Sequence, residues 1–229
     1  MEAIGLIGVG LLGTALAARL ARAGFDVHGY DPDPAAAGRL AALGAAAEPA
    51  AADVARRCRR VFFSLPGPAQ VRDAIAAIEA SLAPGSMILD TTTGDPADVE
   101  RHAAALAVRG IHYLDCEIGG SSKQAAAGEA LVICGGHAEA YAAAHDLLAA
   151  IGAEIYHTGA PGTGTRMKLA LNIAIGLHRA VMAESLAFAE RNGIDAARAL
   201  EILKAGPAYS RAMDVKGAKM LSRDYTPEA

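Results

Sequence analysis

The stretch Gly8-Val9-Gly10-Leu11-Leu12-Gly13 constrains this chain more than any other. It follows the apolar run Ala3–Ile7 and precedes an alanine-rich segment with helical spacing, so it reads as the tight turn of a strand–turn–helix unit. Each glycine has its own task. Gly8 permits the turn, Gly10 lets backbone approach a pyrophosphate, and Gly13 lets helix and strand pack closely. With Val9, Leu11 and Leu12 they place a helix N-terminus, with its unpaired N–H groups and positive dipole end, against phosphate oxygens. Asp31 ends the second apolar run about 18 residues later, where an acid that binds a ribose belongs. Its carboxylate accepts from the 2′- and 3′-hydroxyls and repels a 2′-phosphate. Asp33 adds to that repulsion and no Arg follows Asp31 directly, so NAD is expected in preference to NADP.

The same pattern continues. Strands are expected at Ala3–Ile7, Asp26–Tyr30, Arg60–Leu65, Ser86–Leu89, Ile111–Asp115, Ala130–Cys134 and Ala153–His157. Helices fit between them at Leu12–Ala23, Pro34–Leu43, Ala69–Leu82, Pro96–Arg109 and Ala138–Ile151. Such alternation predicts an α/β fold, a Rossmann-type doubly wound and mostly parallel sheet. After the glycine-rich loop at Thr158–Gly164 nothing reads as a strand. Helical periodicity covers Arg166–Asn192, apolar nearly all round over Leu169–Leu177, as in a helix buried on several sides. Asp195–Lys204 and Arg211–Leu221 read as two further helices. The expected domains are residues 1–160, dinucleotide-binding, and 161–229, all-α.

Composition excludes several classes. A net charge of -4 with pI near 6.0 offers no basic footprint for nucleic acid. The apolar N-terminal run lacks a positive flank and is broken by Gly5, Gly8, Gly10 and Gly13, so it reads neither as a signal peptide nor as a membrane span. Cys58, Cys116 and Cys134 form no CxxC motif and fit reduced thiols in the cytoplasm. The histidines are scattered singly, and no metal site is expected.

Five collinear segments carry a family resemblance: Gly5–Gly13 (GLIGVGLLG), Ser64–Val71 (SLPGPAQV), Asp90–Pro96 (DTTTGDP), Asp115–Gly128 (DCEIGGSSKQAAAG) and Gly162–Asn172 (GTGTRMKLALN). Together they resemble the β-hydroxyacid dehydrogenase family, which includes 3-hydroxyisobutyrate dehydrogenase and tartronate semialdehyde reductase and is related to 6-phosphogluconate dehydrogenase. The resemblance implies NAD-dependent interconversion of a small 3-hydroxy acid and its semialdehyde or keto acid. It implies that Leu65 and Pro66 lie against the cofactor and Thr93 near the nicotinamide. Lys168 matches the family's catalytic lysine and Asn172 its asparagine. Their i,i+4 spacing puts both on one helix face, and both are polar within an apolar stretch.

The substrate segment departs from the family's Asp-Ala-Pro-Val-Ser-Gly-Gly. Gly119 stands at the serine and Glu117 at the proline. Gly119, Gly120, Ser121 and Ser122 are expected to bind a substrate carboxylate, through the hydroxyls and the N–H groups of Gly120 and Ser121, with Lys123 as a nearby cation. Relative to the family the helical domain is expected to be truncated, without the late Lys-Asp pair that closes over the site. Competing readings are an imine reductase-like NAD(P)H enzyme, which Lys168 opposes, and a dinucleotide-binding protein without turnover. The apolar helix predicts a homodimer or larger assembly. No membrane partner is expected.

Overall fold

The computed structural model describes residues 1–224 and 226. It forms two compact units, Met1–Lys168 and Leu169–Ala229. The first opens with β1 (Ala3–Ile7), α1 (Leu11–Arg22), β2 (Asp26–Tyr30), α2 (Ala35–Ala41), β3 (Ala46–Ala47), α3 (Ala51–Arg57) and β4 (Arg60–Phe63). It continues with α4 (Pro68–Ile78), β5 (Met87–Asp90), α5 (Pro96–Ala107), β6 (His112–Gly119), α6 (Ser122–Ala127), β7 (Leu131–Gly135), α7 (Ala138–Ile151) and β8 (Glu154–Gly159). A long helix, α8 (Thr163–Arg191), begins in the first unit and runs into the second, followed there by α9 (Ala196–Ala205) and α10 (Arg211–Leu221).

Among the described residues the strands make one eight-stranded sheet in the order β3-β2-β1-β4-β5-β6-β7-β8. All neighbours are parallel except β6 and β7. That exception has a length cause. The connection between them is the six-residue α6 with its flanking turns, short of the dozen or more residues a parallel crossover needs. Strand order reverses direction of growth between β1 and β4, which creates the crevice at their carboxyl ends where ligands of such sheets bind.

Side-chain alternation divides the core in two. Ile4 and Leu6 of β1 join Leu16, Leu20, Leu147 and Ile151 on one face. Ile7 joins Val54, Ile75, Ile78 and Leu106 on the other. A sheet buried on both faces explains the near-continuous apolar strands. The second unit has its own small core of Met182, Leu186, Ala189, Leu200 and Met213.

Three elements were not expected from the pattern. β3 is two residues long. α3 is seven alanine-rich residues with no side-chain cap, so it lacks the usual start signal. α6 begins at a capping box, Ser121 with Gln124, a signal that is present in the sequence. Several boundaries also move, two of them at the site. The strand expected to stop at Asp115 runs on to Gly119, and α8 starts three residues before Arg166. Within the single chain Leu169–Leu177 is not covered on several sides: Ile173 is 65% and Leu177 60% exposed. Among the described residues this helix face is left exposed.

The glycine turn generates a contrast that tests the fold. A Cβ on Gly13 would lie 2.0 Å from the Gly8 carbonyl oxygen, whereas one on Gly10 would meet nothing within 4 Å. Gly13→Ala is expected to cost about 1–3 kcal/mol, because α1 must lift from β1, while Gly10→Ala leaves stability within about 0.5 kcal/mol. Urea unfolding of both variants checks this; equal midpoints would contradict it.

Candidate active site

The carboxyl ends of β1, β2, β4, β5 and β6 point toward one edge of the sheet, since these strands are mutually parallel. After β1, Gly8 adopts φ +95°, a conformation that favours glycine, and its N–H donates to the Tyr30 carbonyl at 2.9 Å. α1 starts after Gly10 with no side-chain cap. Its first N–H groups thus face open space above Gly10, a cradle that a Cβ would begin to fill. Leu11, at the helix start, is 67% exposed; Leu12 is half-buried against the core. After β2, Asp31 accepts from Val9 N at 2.7 Å through one oxygen and from Asp33 N at 2.8 Å through the other. Each carboxylate oxygen keeps a lone pair for a ribose hydroxyl. These features fit a dinucleotide.

One expectation here needs correction. Asp33 does not add bare negative charge beside Asp31. Arg39 Nη2 donates to Asp33 at 2.8 Å and Arg39 Nε to the Val9 carbonyl at 2.9 Å. The guanidinium neutralises Asp33 and holds its carboxyl below the usual range. Arg39 escaped notice because it comes from α2 rather than directly after the strand.

The segments after β4 and β5 are tied together. Leu65 N donates to Thr92 Oγ1 at 3.1 Å and Thr91 Oγ1 to the Phe63 carbonyl at 2.7 Å. Pro66 is exposed beyond Leu65, and Pro68 starts α4. Thr93 Oγ1 donates to Glu117 Oε2 at 2.5 Å. Asp95 caps α5 through Ala97 N at 2.9 Å.

β6 carries the remaining polar groups. Cys116 and Ile118 turn to one core, while Tyr113 turns to the other, so period two places Asp115 and Glu117 on the Tyr113 face. Asp115 accepts from Gly162 N at 3.0 Å, Thr165 N at 2.8 Å and Thr165 Oγ1 at 3.2 Å. It thereby takes up orphan donors at the start of α8. Close approach is possible because Gly135 and Gly164 lack side chains: a Cβ on Gly164 would lie 2.6 Å from the Asp115 carbonyl oxygen. Burial still raises the Asp115 carboxyl above its ordinary range.

Lys168, one turn into α8, donates from Nζ to the Ile118 carbonyl at 2.5 Å. Burial lowers its pKa, and the Glu117 carboxylate opposes that shift. Asn172 follows one turn later on α8, exposed and in the second unit.

The expected carboxylate-binding segment is only partly as read. Gly119 belongs to β6, and a side chain there would press on Leu131 at 3.1 Å, which accounts for glycine at that position. Gly120 follows at φ +131°. Ser121 is committed to capping α6: its N–H donates to Gln124 Oε1 at 2.9 Å and its hydroxyl accepts from Gln124 N at 3.3 Å. In this arrangement both groups are engaged within the start of α6. Ser122 is half-buried in the first turn of α6, and Lys123 is exposed.

Two arrangements were hidden from sequence spacing. Asp90 is fully buried, accepting from Tyr113 Oη at 2.5 Å and Thr92 N at 2.8 Å. Cys116 and Cys134, 18 residues apart, face each other across β6 and β7 with sulfurs 3.3 Å apart; both are free thiols.

Comparison with known proteins agrees with this layout. Residues 3–159 match the family model of the NAD binding domain of 6-phosphogluconate dehydrogenase. Residues 162–229 match that of the NAD-binding region of NADP-dependent 3-hydroxyisobutyrate dehydrogenase. The chain is 33% identical to L-threonate dehydrogenase of Cupriavidus necator, covering 98% of this chain and 77% of the relative. It is 31% identical to 2-hydroxy-3-oxopropionate reductase of Escherichia coli, with the same coverages. Among solved structures, 3-hydroxyisobutyrate dehydrogenase of Mycobacterium tuberculosis with L-serine superposes with TM-score 0.92 at 26% identity, covering 99% of this chain and 80% of the other. An imine reductase from Pseudomonas sp. has TM-score 0.80 at 22% identity, covering 99% and 80%, and shares the fold.

Asp90 generates a pH prediction. Burial raises its pKa from 3.8 to about 6. A carboxyl whose folded pKa is raised contributes stability that is full below its unfolded pKa and is lost as pH rises through the folded value. Between about pH 4 and pH 6 the wild type should therefore lose stability relative to Asp90→Asn. Urea unfolding across that window checks it; parallel profiles would refute the assignment.

Proposed function

The chain belongs to the β-hydroxyacid dehydrogenase family, and on that premise we propose that it catalyses NAD-dependent interconversion of a small 3-hydroxy acid and its semialdehyde or keto acid. The observation that carries this reading is Lys168: a partly buried lysine, its pKa lowered by burial, tied to the end of β6 at the sheet edge that also bears the glycine turn and Asp31. Gly8, Val9, Gly10, Leu11, Leu12, Gly13 and Asp31 hold the dinucleotide, with Leu65, Pro66 and Thr93 beside it. A bound nicotinamide supplies the hydride acceptor or donor.

Lys168 handles the proton. In the oxidative direction its neutral amine takes the hydroxyl proton while the hydride leaves carbon; in reverse its ammonium returns that proton to the carbonyl oxygen. A free lysine is too strongly protonated at neutral pH to serve as base, and burial shifts Lys168 in the direction that favours its neutral form. Positive charge at Nζ also stabilises a developing alkoxide. Asn172, one turn on, orients the amine and the substrate hydroxyl. Gly119, Gly120, Ser121 and Ser122 form the segment that faces the substrate carboxylate. NAD is the proposed cofactor over NADP because Asp31 offers acceptors to ribose hydroxyls. An imine reductase-like activity is less well supported, since the likeness to those structures is one of fold.

Assembly follows from α8. By length and composition this helix is apolar enough to cross a membrane, with mean hydropathy 1.2. Its first turn, however, is pinned to β6 through Thr165 and Lys168. The exposed stripe of Leu169, Ile173, Leu177 and Val181 recurs every four residues, as a helix–helix contact does. A homodimer or larger assembly buries it. The three buried free thiols fit a cytoplasmic location.

Purified protein with NAD is expected to oxidise small 3-hydroxy acids, and Lys168→Ala to lower kcat/KM by about 10²–10⁴-fold. Undiminished turnover in that variant would sink the mechanism, and cofactor binding with no turnover on any hydroxy acid would favour a non-catalytic role. Light scattering at micromolar concentration should report a dimer or larger; a monomer contradicts the assembly.

A further inference from the structure

Glu117 stands at a position where the related pattern has proline, and it is fully buried. Its Oε2 accepts from Thr93 Oγ1 and the Thr165 hydroxyl lies near enough to favour its charged form, while Oε1 makes no hydrogen bond of ordinary length among the described residues. A buried carboxylate oxygen left unpaired is costly, and packing alone does not select it. Its surroundings point to electrostatics. From α8, Thr165 and Lys168 face it, together with the positive end of the helix. From the end of β5 come Thr93 and, farther back, Asp90. On its own strand Asp115 shares its face, and β7 places apolar Ile133 opposite it. Lys168 Nζ is bound to the carbonyl of Ile118, the next residue in the strand.

We propose that Glu117 is a positioning residue of this site, the counter-charge that sets the protonation of Lys168 and, through Thr93, joins the β5 end of the site to the start of α8. Lys168 is driven toward the neutral amine by burial, and Glu117 restrains that shift. The two opposing effects act on the same amine, so Glu117 limits how far burial depresses its basicity. A proline at this position leaves the lysine without that restraint.

The inference rests on Lys168 as the proton-transfer group, so its test reads ionisation rather than turnover. In Glu117→Gln the amide oxygen still accepts from Thr93, but the charge is gone. The pH dependence of Lys168 acylation by a small amine-reactive ester, followed by peptide mass spectrometry, should move about one unit lower in this variant. That is about tenfold faster modification on the acidic side. Superimposable profiles in folded protein would overturn the proposal. The reciprocal variant Lys168→Met changes a half-buried residue and keeps the measurement available should Glu117→Gln not fold. Without the cation the Glu117 carboxyl should titrate at higher pH, read from its ¹³C shift in glutamate-labelled protein; an unchanged titration refutes the coupling. With a substrate in hand, the acidic limb of kcat/KM should move down with the acylation profile in Glu117→Gln. Absence of turnover alone would count against the dehydrogenase reading and leave these titrations to decide the coupling.

Discussion

The clasp between Asp115 and the first turn of α8 is the contact on which the site depends. Its carboxylate takes two backbone N–H groups and the Thr165 hydroxyl. This does for α8 what a local cap does for an ordinary helix, but the acceptor comes from a strand nearly fifty residues earlier in the chain. The helix start is thereby fixed against the end of β6, and Lys168 is fixed with it. Gly135 and Gly164 permit the clasp, since a Cβ on either would collide with Asp115 or with the other's backbone. Without that approach the lysine would be a solvated residue on a helix of no particular orientation.

Three carboxyls are buried at this edge of the sheet. Asp90, Asp115 and Glu117 lie on neighbouring strands, and desolvation raises all three. Each has donors that meet part of the cost: a phenol and an amide for Asp90, the helix amides for Asp115, the Thr93 hydroxyl for Glu117. The opposite face of β6 is apolar, with Cys116 and Ile118 in the core. One strand thus serves as wall of a hydrophobic core and as floor of a polar site, a consequence of side-chain alternation.

Much of this was legible before the fold was known. The glycine turn, Asp31 and the strand–helix alternation identify a dinucleotide-binding sheet, because the local geometry they require is narrow. Lys168 and Asn172 were picked out as polar residues in an apolar helix. What escaped was either too short to carry a pattern, as with β3 and α3, or non-local. Arg39 reaches Asp33 from the next helix. Cys116 meets Cys134 only because β6 and β7 run antiparallel. Ser121 caps α6 together with Gln124, three residues on.

By itself the sequence determined the fold class and the glycine turn of a dinucleotide-binding sheet, since both rest on spacing within one segment and on the backbone conformations that spacing allows; Asp31 and Lys168 were singled out there as candidates, the lysine through the family resemblance. Only the tertiary structure decided what those residues do to one another. Burial and charge act through space. The depressed basicity of Lys168, the orphaned oxygen of Glu117 and the neutralised Asp33 all arise from segments far apart in the chain brought to one sheet edge.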